Sequence, residues 1–232
     1  MITRHPSTEQ LFRDLDSTDK PTIRAAVDRL FKIAKDQPEL SARLHSLLVR
    51  PVRNHDWPIA YVLAELGDID TTVLDRLICG LDHREPDIRW AIALLLVRKA
   101  TNHSEITNRL VALCRSGTNN QKRMACYSLR DLRLTDESSL NAIAEMLDDR
   151  DAANRVAALI ALKERSDASN EIRQKMLDRY LRDSATKVRH TAAIALAALG
   201  SPSDAFIEAL RIAERDGDEQ TKKAAKAALM KF

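Results

Sequence analysis

The chain contains few of the residues that mark several familiar classes of protein. Aromatic residues make up 4% of its 232 residues, and there are only 5 glycines, 7 prolines and 3 cysteines. So little glycine and proline excludes a collagen-like or loop-dominated chain. No apolar run approaches the roughly 18 to 20 residues that span a bilayer, so we expect no membrane-spanning segment. The composition is 44% hydrophobic and 31% charged, which is typical of an aliphatic globular protein.

Cysteine content, the first residues and the net charge limit the compartment and the partners. Cys79, Cys114 and Cys126 are too few and too irregularly spaced for a disulfide framework, so we interpret them as reduced core residues. The opening stretch MITRHPSTEQLFRDL lacks the apolar core of a secretory signal, and we expect a cytoplasmic protein. A net charge of +3 neither requires nor excludes a nucleic-acid partner.

One helical pattern recurs along the whole chain. The segment VRHTAAIALAALG, which contains Arg189, matches six other stretches at spacings of 32 to 34 residues. Apolar residues follow three and seven positions after the arginine, and such spacings predict a helix. A second apolar helical pattern precedes it, so each unit is a helical hairpin. The residues that occupy the position of Arg189, which we call the marker position, are Arg24, Asp56, Arg89, Lys122, Arg155, Arg189 and Lys222.

A hairpin of about 33 residues cannot bury its apolar face alone, whereas stacked hairpins share one continuous core. The sequence therefore predicts an all-α fold, an α-solenoid (α-α superhelix) of about seven HEAT-like helical hairpins. We expect a single repeat array over residues 1–232. Its approximate units are 1–35, 36–68, 69–101, 102–134, 135–167, 168–200 and 201–232.

The repeat resembles the HEAT family, in particular the short bacterial HEAT-like repeats of phycobilisome lyase-type subunits. The resemblance rests on an Asp near the turn between helices, a Val-Arg pair, and then Ala and Ala-Leu. Asp183, Val188, Arg189, Ala192 and Leu196 show it best. It implies that the second helix of each hairpin lines a concave face. It says little about function, because such arrays serve scaffolds, lyases and repair enzymes alike.

The resemblance also implies a structural ladder, in which an Asp six or seven positions upstream accompanies the cation at the marker position. We favour this interpretation over a phosphate-binding stripe, because an acidic neighbour recurs in most repeats. We expect such a ladder to align the repeats more than it stabilises them. Its predicted members are Arg24, Arg89, Lys122, Arg155, Arg189, Lys222, Asp82, Asp148, Asp183 and Asp216.

The aromatic residues point to a candidate binding surface. Trp57 and Trp90 lie one position after the marker, and Tyr61 and Tyr127 lie five positions after it. Positions one and five share a helical face that the apolar core positions do not use. Aromatic rings and arginine recur as binding anchors. The predicted concave binding surface consists of Trp57, Tyr61, Trp90, Leu94, Arg123 and Tyr127. The alternative is that these rings fill the core.

Asp56 invites a separate interpretation. It directly precedes Trp57-Pro58, and we interpret it as an N-cap whose side chain accepts helix N–H groups.

Function has one leading interpretation and two alternatives. No catalytic motif, cofactor loop or metal-ligand spacing occurs, so we expect a non-enzymatic scaffold or adaptor that binds another protein or peptide, without a cofactor. The first alternative is a nucleic-acid-binding HEAT-like protein related to alkylpurine DNA glycosylases. The resemblance would then place Trp57, Trp90 and Tyr127 against a nucleotide, with Asp56 beside the lesion. The second alternative is a tetrapyrrole lyase-type chaperone subunit.

Overall fold

The computed structural model of the chain describes residues 7–48, 56–165, 167–199 and 204–230. Parts of five predicted units, at residues 1–6, 49–55, 166, 200–203 and 231–232, lie outside the described residues. The described helices are α1 Thr8–Leu15, α2 Lys20–Ala34, α3 Pro38–Leu48, α4 Trp57–Leu66, α5 Thr71–Gly80, α6 Pro86–Ala100, α7 Ser104–Ser116, α8 Asn119–Leu132, α9 Glu137–Glu145, α10 Ala152–Leu162, α11 Asn170–Arg182, α12 Thr186–Ala198, α13 Asp204–Asp216 and α14 Glu219–Leu229.

These helices confirm the predicted fold class. Each of the seven predicted units contains two described α-helices, the fifth also has a short 3₁₀ helix at Met146–Asp148, and the described residues include no strand. The marker position always lies in the second helix of its unit or directly before it. The fold is therefore an all-α repeat structure of helical hairpins. No helix in the described part of the chain is both long and apolar enough to cross a membrane.

Polar residues at the helix starts explain why the helices begin where they do. The side chains of Asp19, Asp70, Asp136 and Asp218 each accept a hydrogen bond from a backbone N–H in the first turn. Thr118 forms a capping box with Gln121 at the start of α8. Such caps satisfy N–H groups that have no partner inside the helix. Short polar turns can therefore separate the hairpins cleanly.

The core is aliphatic and is built from the positions three and seven residues after the marker. Ile92 and Leu96 in α6 and Ala125 and Leu129 in α8 are buried, as are their counterparts in α10 and α12. Burying a leucine or isoleucine side chain stabilises a fold by about 1.5–3 kcal/mol. The recurring apolar positions thus supply the driving force for packing each hairpin on its neighbours.

The chain divides into two compact units, Met1–Ile106 and Thr107–Phe232. The candidate surface residues from Trp57 to Leu94 belong to the first unit, and Arg123 and Tyr127 belong to the second. Cys114 and Cys126 are buried as predicted, but Cys79 is exposed. The prediction for Cys79 was wrong because this residue lies on the outer side of α5, whose buried face uses Leu74, Leu77 and Ile78 instead.

Candidate functional site

Trp57 and Tyr61 lie on one face of α4, four residues apart. Both side chains are half-buried, whereas the residues between them, Pro58 to Ala60, are buried. Pro58 lies in the first turn of the helix, where it needs no N–H partner. The core side of α4 thus fixes the helix, and the opposite side presents two aromatic rings.

The two rings line a groove in the first unit, which we call the aromatic groove. Its other walls are α2, through Ile23 and Val27, and the N-terminal part of α6, through Ile88 and Ala91. Its volume is about 640 Å³. This is within the range of roughly 300–1,000 Å³ that is usual for ligand pockets. The groove has room for one or two large side chains of a partner.

An ion cluster joins the two helices that flank the aromatic groove. The ammonium of Lys20 in α2 lies 2.7 Å from Glu85 Oε2 and 3.0 Å from Asp87 Oδ1 at the start of α6. The pKa of Lys20 is raised because its ammonium donates hydrogen bonds to Glu85 and Asp87, and the same contacts lower the pKa of both carboxyls. The cluster thus links the first and third hairpins across the second.

Two contacts hold Trp57 in place beneath the groove. The rings of Trp57 and His83 meet edge to face, with centroids 6.2 Å apart. Gly80 in α5 lies so close that an added Cβ would be 3.1 Å from Trp57 Cβ and 2.5 Å from Ile92 Cδ1. The absence of a side chain at Gly80 therefore lets α5 pack closely against α4, which contains Trp57, and α6, which contains Ile92.

The other predicted surface residues do not line the aromatic groove. Trp90 and Leu94 are exposed by 38% and 50% on one face of α6. In the second unit, Arg123 donates hydrogen bonds to Asn120 Oδ1 at 2.6 Å and to Asn154 Oδ1 at 3.3 Å. The guanidinium of Arg130 lies over the ring of Tyr127, and burial raises the pKa of that tyrosine. Arg123 and Tyr127 therefore already have partners within their own unit.

Asp56 occupies the predicted N-cap position, but the predicted side-chain cap is wrong. It precedes α4, but its side chain makes no capping hydrogen bond. Its carboxylate is buried and lies 3.3 Å from Arg76 Nε, so the charge pair replaces the cap. Asp56 lines a separate pocket of about 170 Å³ with Phe12 and Ile59. Asp56 is the acidic exception at the marker position, and its partner on α5 is correspondingly basic.

The marker arginines share one local contact. Arg155 Nη1 donates to the carbonyls of Asp149 and Arg150, at 2.8 Å and 3.1 Å. Arg89 and Arg189 make the same pair of hydrogen bonds to the carbonyls six and five positions upstream. These cations therefore hold the turn between the two helices of their own hairpin.

Two marker cations also reach the next hairpin. Arg155 donates to both carboxylate oxygens of Asp183, at 2.7 Å and 2.8 Å, and Lys122 donates to Asp149 Oδ2 at 2.7 Å. Burial opposes ionisation of Asp183, but hydrogen bonds from Arg155 and from the Ala185 N–H lower the pKa of its carboxyl. The structure thus brings these two ladder pairs together.

The predicted ladder positions Asp148 and Asp82 require correction. Asp148, seven residues upstream of its marker, pairs with Lys175 and Arg179 of α11 instead. Asp149, six upstream, holds the ladder position, because there its carboxylate can accept the Asp151 N–H two residues on. Position six upstream of Arg89 is His83, whose Nδ1 accepts the Glu85 N–H, and Asp82 is exposed.

Three predicted ladder residues, Arg24, Lys222 and Asp216, lie near the two ends of the chain. Arg24 is exposed and lines the aromatic groove, and no ion pair of Arg24 is present among the described residues. Lys222 is half-buried, and Asp216 lies 2.8 Å from its neighbour Arg215.

Sequence reasoning missed Lys20, Glu85 and Asp87, which lie before or at the helix starts. The predicted concave binding surface was defined by positions one and five after the marker, whereas Lys20, Glu85 and Asp87 precede the marker. Among the described residues, no three His, Cys, Asp or Glu side chains come together as metal ligands.

Comparison with known proteins does not assign a family. No protein-family model matches the chain, and no curated protein matches it. Solved structures that match include a designed armadillo repeat protein in complex with the peptide (KR)4, at 19% identity and a TM-score of 0.42, covering 98% of this chain and 100% of the other. Human deoxyhypusine hydroxylase in complex with glycerol matches at 16% identity and a TM-score of 0.41, covering 96% and 94%. Computationally designed armadillo repeat proteins for modular peptide recognition match at 17% identity and a TM-score of 0.43, covering 97% and 100%. Values this low carry no argument about function.

Proposed function

We propose that this chain is a non-enzymatic, HEAT-type scaffold that binds another protein or peptide in the aromatic groove. The observation that carries the proposal is the placement of Trp57 and Tyr61, half-buried and side by side, in an open groove between α2 and α6. Rings held in this way supply apolar contact area without losing much side-chain entropy on binding. Trp90 and Leu94 on α6 extend the proposed surface.

The charges of the groove favour a polypeptide over a phosphate backbone. Lys20 and Arg24 line the groove together with Asp28 and Asp87, so positive and negative groups balance. A nucleic-acid groove needs an excess of cations to neutralise phosphates. A peptide can instead place an apolar side chain between the rings and pair its polar groups with either sign of charge.

The position of Asp56 gives no support to the glycosylase alternative. Its carboxylate is buried against Arg76 rather than exposed beside Trp57, so it is poorly placed to meet a base in the groove. The free thiols Cys114 and Cys126 fit the reducing conditions of the cytoplasm, where we place the protein.

A peptide selection tests the proposal and does not depend on which protein is the natural partner. Peptides selected from a random phage library on the wild-type protein are synthesised with a fluorescent label, and their affinity is measured by anisotropy. We expect Trp57→Ala to weaken binding by about 2 kcal/mol, roughly 30-fold, as truncation of an aromatic hot spot does. Tyr61→Phe, which keeps the ring, is expected to retain most of the affinity.

The matched control is Ile212→Ala, which removes an exposed apolar side chain from α13. Circular dichroism must show that every variant remains folded. The proposal fails if Trp57→Ala and Ile212→Ala bind the selected peptides equally well. It also fails if a single-stranded oligonucleotide displaces the peptides and its affinity falls steeply with salt, since that result indicates phosphate binding.

A further inference from the structure

Charge is distributed unevenly between the helices of the second unit. The second helices of its hairpins, α8, α10, α12 and α14, carry nine Lys or Arg and two Asp or Glu, a net charge of +7. The first helices α9, α11 and α13, with the part of α7 that lies in this unit (residues 107–116), carry eight Lys or Arg and eight Asp or Glu, a net charge of 0. The net charge of the chain is therefore close to zero, although the second helices of this unit are strongly cationic.

Several of these cations are already used by the fold. Lys122 and Arg155 form the ladder pairs, and Arg189 holds the carbonyls of its own turn. Lys187 on α12 and Lys223 and Lys226 on α14 are exposed, and no carboxylate partner for them is present among the described residues. These three lysines therefore keep their charge available to a partner.

Exposed apolar side chains accompany the available lysines at the same helical spacing. On α12, Lys187 and His190 are followed by Ile194, which is 50% exposed. On α14, Lys223 and Lys226 are followed by Met230, which is 82% exposed. Steps of three and then four residues place each set on one side of its helix. We call these six residues the cationic face.

The starts of α12 and α14 lie near each other. Arg189 from α12 and Thr221 from α14 line one cleft of about 420 Å³, together with Asp216. Asp183 and Asp218 also line this cleft, and no residue of the cationic face does. A segment that reaches both helices therefore crosses them outside the cleft, where His190 and Lys223 each lie one position after the marker.

We propose that the cationic face binds an acidic segment of another protein that also carries apolar side chains. The carboxylates of the segment pair with Lys187, Lys223 and Lys226, and its apolar side chains cover Ile194 and Met230. Opposite charge gives such a contact its orientation and association rate, and the apolar contacts add to its affinity. This inference is independent of the aromatic groove, which lies in the other unit.

A nucleic acid fits the same face less well. Neither α12 nor α14 contains a Trp, Tyr or Phe on which a base could stack. Ile194 and Met230 have no counterpart on a phosphate backbone. An acidic, partly apolar polypeptide therefore matches both the lysines and the apolar side chains of the cationic face, and a nucleic acid matches only the lysines.

The test uses a fluorescent peptide of Glu residues with Leu at every third or fourth position, about as long as α12. Its binding is measured by anisotropy and compared with that of the same peptide with Lys in place of Glu, and with an oligothymidylate of similar charge. We expect the acidic peptide to bind the wild type and the basic peptide not to bind. The double variant Lys223→Glu/Lys226→Glu should weaken binding of the acidic peptide by about tenfold or more.

The matched control is Arg211→Glu/Arg215→Glu, which changes the net charge equally but at exposed sites on the first helix α13 that do not line the cleft. This control should bind the acidic peptide nearly as well as the wild type. Ile194→Ser should weaken binding of the Glu-Leu peptide but not of a peptide with Ser in place of Leu.

Three results would overturn the inference. The first is an acidic peptide that does not bind the wild type. The second is equal loss of binding in the control, which would show a response to net charge alone. The third is oligothymidylate that binds more tightly than the peptide and displaces it, which would assign the face to nucleic acid. Trp57→Ala should leave binding of the acidic peptide unchanged. A negative result for the cationic face is therefore distinguishable from a negative result for the proposed function of the aromatic groove.

Discussion

Replacing Arg155 by alanine should destabilise the second unit by about 3–5 kcal/mol, the usual cost of leaving one member of a buried ion pair unpaired. Arg155 and Asp183 are only 8% and 5% exposed. The substitution removes both hydrogen bonds to the Asp183 carboxylate and both hydrogen bonds to the turn carbonyls. Among the described residues, Asp183 then keeps the Ala185 N–H at 2.9 Å and Arg179 at 3.8 Å.

Urea unfolding followed by circular dichroism measures this effect. The control is Arg182→Ala, whose exposed guanidinium lies 3.8 Å from Asp178 and should contribute less than about 1 kcal/mol. The double variant Arg155→Ala/Asp183→Ala should recover at least about 1 kcal/mol, because it removes the unpaired carboxylate. If Arg155→Ala stays within about 1 kcal/mol of the wild type, the buried pair does not hold the hairpins together and the reasoning is wrong.

Three further predictions follow from the packing and the ion pairs. Burial opposes ionisation of the Asp183 carboxyl, but folding lowers its pKa through hydrogen bonds from Arg155 and from the Ala185 N–H. The stability that this carboxyl contributes is therefore present above the pKa of an unfolded Asp, about 3.9, and is lost as the pH falls through the folded value. Urea titrations below about pH 5 should show a shallower loss of stability in Arg155→Ala than in the wild type. Gly80→Ala should destabilise the first unit by about 1–3 kcal/mol and shift tryptophan emission, because the new methyl group meets Ile92 and Trp57; an unchanged thermal melt would contradict the packing. A thiol reagent near neutral pH should react quickly with Cys79 alone, because burial shields Cys114 and Cys126 and raises the pKa of Cys114 to about 12; fast modification of all three in the native protein would contradict their burial.

The repeat could be predicted because the residues that recur with its period face the core. Val188, Ala192 and Leu196 are buried, so their spacing reports the packed face of a helix directly. Helix starts also depend on local chemistry, since Asp19 and Asp70 cap the helices that they precede, although the one side-chain cap that we predicted, at Asp56, does not form. Both signals act within a few residues, and the sequence displays them in full.

The groove and the ion pairs depend on contacts between distant residues, which the sequence alone does not reveal. Lys20 meets Glu85 and Asp87 only because three hairpins stack, and a contact over 67 residues leaves no local pattern. The choice of Asp149 over Asp148 depends on which carboxylate faces the preceding hairpin, since Asp149 meets Lys122 of α8 and Asp148 meets Lys175 of α11. Asp56 follows the N-cap pattern, but the nearby Arg76 competes for its carboxylate and the pair forms instead.

Fluorescence of a single-tryptophan protein tests whether Trp57 lies at a binding surface. Trp57 and Trp90 are the 2 tryptophans of the chain, so Trp90→Phe leaves Trp57 as the sole reporter. Saturation with a selected peptide should shift the emission of Trp57 to shorter wavelength and reduce its quenching by iodide, because the peptide excludes water from the half-buried ring. Emission and quenching that stay unchanged while anisotropy shows the peptide fully bound would show that Trp57 lies outside the binding surface.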